Sequence, residues 1–97
     1  MAQFDVHRLD DTYLLDCQSD QLDGFNSRIV VPLIAVGTIA REFPRLTPRL
    51  QVGQEEFVMA THLMAAIDRR LLGPSVASLV QERYTIQTAI DVLTGSG

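Results

Sequence analysis

MAQFDVHRLDDTYLLDC, residues 1–17, is the stretch on which the fold turns. Phe4 and Val6 alternate with Gln3, Asp5 and His7, a period of two that sends apolar side chains to one face of a strand and polar ones to the other. That reading puts His7 on the outer face. Asp10 and Asp11 suit a tight turn, and the chain returns through TYLLDC with Tyr13, Leu15 and Cys17 on one side. Two short alternating runs this close together predict an antiparallel β-hairpin.

Outward from that hairpin, QSDQLDGFNSR is polar, with Gly24 and Asn26, and reads as a loop. RIVVPLI, residues 28–34, reads as a buried strand, with Pro32 placing its end at a sheet edge or bend because proline has no N–H to give a ladder. Residues 35–48 stay open between a strand and a short helix, punctuated by Pro44 and Pro48. RLQV and EEFVMA flank Gly53-Gln54, a second hairpin signal. THLMAAID, with His62 near its start, reads as a further strand running through Arg69-Arg70 to a break at Gly73-Pro74. Then the period changes. Ile86, Ala89, Ile90 and Leu93 stand at i, i+3, i+4 and i+7, one stripe of a helix that Leu79 and Val80 extend backwards. Ser75 or Ser78 is placed to cap its start, and Gly95 to end it in a left-handed conformation. Short strands followed by one terminal helix predict a mainly β (α+β) fold, a small antiparallel sheet or barrel with a helix attached.

The chain has 97 residues, which fits one domain, 1–97, whose core buries roughly 60–70% of its unfolded surface. With 46% hydrophobic and 21% charged residues, a core that thin is often completed in a homodimer. The net charge is −4, lysine is absent and the eight arginines are scattered, which argues against direct nucleic-acid binding, since phosphate contact needs clustered cations. The N-terminus lacks the basic start and long apolar block of a secretion signal, and the longest apolar run, residues 29–40, is too short to cross a bilayer. A cytoplasmic protein is expected. The single cysteine, Cys17, excludes an intrachain disulfide and reads as a small core residue.

The titratable residues do not converge. His7 and His62 are isolated on their elements, and the carboxylate pairs Asp10-Asp11 and Glu55-Glu56 flank turns, where acidic residues serve local hydrogen bonding and solubility. No phosphate loop, metal-ligand spacing or nucleophile elbow is present. A protein that binds, with no cofactor, metal or catalytic residue, is the expectation.

The order of short motifs resembles the CcdB family, the toxin half of a toxin–antitoxin module. The matching pieces are Gln3-Phe4 with Val6; Gln18-Ser19-Asp20 with Asp23; Arg28 to Leu33; Val52-Gly53 with Phe57 and Met59; Thr61 to Ala65; Gly73 with Val76-Ala77 and Leu79; and Ile86 with Ala89-Ile90. The resemblance implies an SH3-like barrel with a C-terminal α-helix and a symmetric homodimer. It also implies a toxin that traps the DNA gyrase A subunit on cleaved DNA. A CcdA-like antitoxin removes it with a disordered arm, contacts DNA itself and, together with the toxin, represses their operon.

In the family, gyrase is gripped where an aromatic, a tryptophan, a glycine and an isoleucine end the helix; those positions are Thr94, Gly95, Ser96 and Gly97 here. The family's helix asparagine is Asp91, and two loop isoleucines are Gln21 and Leu22. Only Leu22 keeps its character. A hot-spot tryptophan contributes at least ~2 and up to ~4 kcal/mol, so a dimer missing two loses about 4–8 kcal/mol, a thousandfold or more in affinity. The resemblance thus implies a poor gyrase poison. Two alternatives follow: a non-toxic homologue that only binds antitoxin, and an endoribonuclease of the MazF type, which shares the barrel but against which the acidic charge argues.

Overall fold

The computed structural model describes residues 2–96. Among them, seven strands form one antiparallel sheet in the order β4-β5-β3-β2-β1-β7, with β6 paired to β3 off that path. The strands are β1 (Asp5–Leu9), β2 (Thr12–Asp16), β3 (Ser27–Ala35), β4 (Arg49–Val52), β5 (Glu55–Met59), β6 (Ala65–Asp68) and β7 (Ser75–Ser78), followed by a single helix, α1 (Arg83–Thr94). This is a curled half-barrel with one C-terminal helix, the architecture expected.

Both hairpins form at the turns the residues specify. Leu9 faces Thr12 across Asp10-Asp11, with Asp10 left-handed at φ 53°, a conformation aspartate visits more readily than most residues. Val52 faces Glu55 across Gly53-Gln54, and Gly53 takes φ 63°. Val6, Leu15, Val31, Leu33, Leu50, Phe57 and Met59 project to one side and meet Ile86 and Ala89 of α1; Tyr13 and Cys17 close over that core. Burying Ile86 fully is worth about 1.5–3 kcal/mol and fixes the helix against the sheet.

β3 is the spine. It pairs β2 on one side; on the other it pairs β6 through Ser27–Val30 and then β5 through Leu33–Ala35. Pro32 lies inside β3, where that change of partner occurs. Its carbonyl accepts the Ala60 N–H at 2.9 Å. Because N–H and C=O of a residue in an antiparallel strand point the same way, the missing donor falls in the gap between β6 and β5, so Pro32 marks a switch of partner and not the strand's end.

Several local expectations are corrected. Residues 36–48 form neither strand nor helix: Gly37 turns left-handed at φ 93°, and Thr47 closes its own loop, its hydroxyl accepting the Phe43 N–H at 2.8 Å. THLMAAID is a 3-10 turn (Thr61–Leu63) before β6, so His62 sits on an exposed turn. Leu79 and Val80 are not on the helix. Val80–Glu82 is a 3-10 turn, Ser75 and Ser78 belong to β7, and Glu82, which precedes α1, makes no side-chain cap. His7 does not face water. It is 3% exposed, and its Nδ1 lies 3.0 Å from the Gly73 carbonyl. The chain before β7 covers it: Gly73 N–H donates to the Arg8 carbonyl at 2.9 Å, so close that a Cβ on Gly73 would stand 2.8 Å from that oxygen. The register of β1 on β7 shifts between Val6 and His7, leaving Val76 as the extra residue between Ala77 and Ser75.

Candidate functional site

The end of α1 is a sealed stop. Gly95 takes φ 88°, and the Asp91 carbonyl accepts the N–H of both Gly95 and Ser96, the latter at 2.8 Å, a closure of the Schellman type that only a residue free of a Cβ penalty enters cheaply. The Thr94 hydroxyl donates to the Ile90 carbonyl at 3.0 Å, and Gln87 Nε2 donates to the Asp91 carboxylate at 3.0 Å. Thr94, Gly95 and Ser96 are exposed but present no large apolar group; Leu93, 39% exposed, is the nearest one. Gly97 lies outside the described residues.

Gln21 and Leu22 belong to the loop between β2 and β3, on a 3-10 turn (Asp20–Leu22) capped by Ser19, whose hydroxyl accepts the Gln21 N–H at 3.2 Å. Among the described residues no hydrogen bond or ion pair joins Gln21 or Leu22 to the end of α1.

The loop is anchored from below. Gln18 is buried; its Nε2 donates to the Leu22 carbonyl and its Oε1 accepts the Ile29 N–H, each at 3.0 Å. Arg28 is fully buried, and its Nε and Nη2 both donate to Asp16 Oδ2, at 2.9 and 2.6 Å, while Nη1 reaches Asp23 at 3.2 Å. Arg69 Nη1 donates to the carbonyls of Asp23 and Phe25. None of Gln18, Arg28, Arg69 or Phe25 was singled out as functional from sequence. Phe25 stands out in the sequence as a large apolar residue that shares a mostly polar loop with Leu22.

The chemistry-bearing residues stay dispersed. Asp11 and Glu55, one from each acidic pair, line the same cleft of about 430 Å³ with Arg8 and Tyr13, but Glu56 is engaged by Arg49 at 3.2 Å and no group of three metal-ligating side chains occurs among the described residues. Burial, aided by the Asp16 carboxylate, pushes the Cys17 thiol up to about 12, which keeps it protonated and unreactive. No helix among the described residues is long and apolar enough to cross a membrane.

The fold defines a small α+β protein of the antiparallel half-barrel type with one terminal helix. A family model described as CcdB protein matches residues 3–95. The chain belongs to the CcdB family, the toxins of toxin–antitoxin systems.

Proposed function

We propose that this chain is a CcdB-type toxin that acts as a homodimer in the cytoplasm, is neutralised by the extended arm of a CcdA-like antitoxin with which it co-represses their operon, and engages the DNA gyrase A subunit more weakly than relatives with an aromatic helix end. The whole chain serves as the toxin domain, without a catalytic step. The observation that carries the reading is the family match over residues 3–95. The weakness follows from the sealed helix end, where Thr94, Gly95 and Ser96 leave a target no rigid anchor.

The test is expression without antitoxin in a gyrase-sensitive host, beside a cleavage-complex assay with purified gyrase. Slowed growth that the antitoxin arm relieves, with cleavage complexes only at high protein concentration, supports the reading. Normal growth with no trapped complex, alongside tight capture of the antitoxin arm, supports the second reading: a non-toxic homologue that only binds antitoxin. The same helix end favours that reading.

A further inference from the structure

We propose that the groove between residues 43–46 and α1 is a docking site for an acidic segment of a partner protein, one in which a bulky apolar side chain is flanked by carboxylates. The inference stands beside the gyrase and antitoxin readings and rests on neither. The groove consists of two adjoining hollows that share Pro44 and Arg45. One, of about 460 Å³, is lined by Phe43, Leu46 and Val92; the other, of about 260 Å³, by Tyr84 and Thr88 of α1. No carboxylate among the described residues lines either. The wall facing α1 is already ordered. The Phe43 N–H donates to the Thr47 hydroxyl at 2.8 Å, and the Phe43 carbonyl accepts the Thr47 N–H at 2.6 Å. Thr47 itself is buried, so Phe43, 45% exposed, stands on a fixed backbone. A partner that binds here does not have to order the loop first.

The arginines name the partner's charge. Of the eight in the chain, Arg28, Arg49, Arg69 and Arg70 pair with carboxylates. Of the other four, which make no ion pair among the described residues, three stand at this groove. Arg45 lines both hollows. Arg41 lies with its Cζ 4.8 Å from the centre of the Phe43 ring, and Arg83 with its Cζ 4.8 Å from that of Tyr84. Glu42, next to Phe43, is already engaged by Arg49 at 3.0 and 3.1 Å and leaves these three guanidiniums free to take carboxylates from outside, which their planar forks bind in pairs of hydrogen bonds. The apolar lining decides between kinds of acidic partner. Pro44, Leu46 and Val92 suit an aliphatic or aromatic side chain, whereas nucleic-acid bases stack on open ring faces, and one face of each ring here is covered by its own arginine. A phosphate backbone also needs a longer track of cations than this chain of net charge −4 provides.

The experiment titrates the full chain, labelled with nitrogen-15, with three probes: a short peptide carrying a Leu-Trp pair between runs of glutamate, the same peptide with lysine for glutamate, and a thymidine oligonucleotide of matching length. Arg45→Gln tests the cation and Val92→Glu the apolar lining. Arg70→Gln is the control, an exposed arginine paired with Asp68 away from the groove. Thermal melts confirm that each variant is folded. Expected is saturable binding of the glutamate peptide with a Kd below about 1 mM, amide shifts confined to residues 41–47 and 83–92, and no binding of the lysine peptide. Arg45→Gln weakens that binding about fivefold or more, Val92→Glu abolishes it, and Arg70→Gln stays within about twofold of the unmodified chain. Absence of binding, shifts elsewhere, equal binding of the lysine peptide, or equal losses for Arg45→Gln and Arg70→Gln would overturn the inference. Tighter binding of the oligonucleotide would overturn it too, and assign the groove to nucleic acid.

Discussion

Replacing Arg28 by methionine keeps most of its volume and removes its charge, and the consequences can be worked out bond by bond. Arg28 and Asp16 are both fully buried, and two of the guanidinium's N–H groups converge on Asp16 Oδ2 at 2.9 and 2.6 Å. Without them the carboxylate keeps one donor, the Gln18 N–H on Oδ1 at 3.0 Å. Leaving a buried charge uncompensated costs about 3–5 kcal/mol, a large share of the roughly 5–15 kcal/mol that holds a domain together. With a urea slope of about 1–2 kcal/mol/M, the unfolding midpoint falls by roughly 1.5–5 M. The companion variant Asp16→Leu with Arg28→Met removes both charges, and it recovers to within about 1–2 kcal/mol of the unmodified chain, since a buried pair replaced by apolar groups of similar volume is close to neutral. Urea unfolding followed by circular dichroism at pH 7 reads all three proteins. An Arg28→Met unfolding free energy within about 1 kcal/mol of the unmodified chain's, or a double variant no better than the single, would refute the account of this pair. Because Arg28 also reaches Asp23, the single variant should loosen the 19–26 loop as well.

Gly73→Ala sets a methyl carbon 2.8 Å from the Arg8 carbonyl oxygen; the backbone must yield, at a cost of about 1–3 kcal/mol in the same urea assay, with faster hydrogen exchange along β1 and β7. Cys17 has its thiol raised from 9.0 to about 12. The unfolded chain therefore releases that proton first, and stability falls as pH rises from about 9 to 12 while staying insensitive to this group below that window. Unfolding at pH 8 and pH 10.5 shows the loss, which Cys17→Ala abolishes, and an aromatic disulfide reagent at pH 8 labels Cys17 only in denaturant.

The legible parts of the fold were those set by neighbours in sequence. Asp10-Asp11 and Gly53-Gln54 specify their turns whatever surrounds them, and the stripe Ile86, Ala89, Ile90 and Leu93 belongs to α1. Gly95 is the left-handed stop its position implied. What escaped was set by partners distant in sequence. His7 alternates like a solvent-facing residue, yet Gly73, 66 residues away, covers it. Pro32 looks like a strand end until β3 is seen to exchange β6 for β5 around it. Ser75 and Ser78 are good caps by type, but pairing with β1 claims them for β7. The candidate site divides the same way: the helix end could be read directly, whereas the ties from Gln18, Arg28 and Arg69 that stiffen the 19–26 loop run between segments whose proximity no local pattern reveals.

The most direct test of the account is the affinity of the gyrase A subunit for two proteins: the unmodified chain, and one carrying Thr94→Phe, Gly95→Trp, Ser96→Gly and Gly97→Ile. The graft must open the left-handed stop at Gly95, where a side chain costs about 1–2 kcal/mol, less than the two anchors restored in the proposed homodimer contribute. The account predicts that the graft binds tighter by about a hundredfold or more. Equal affinity of the two proteins would contradict it.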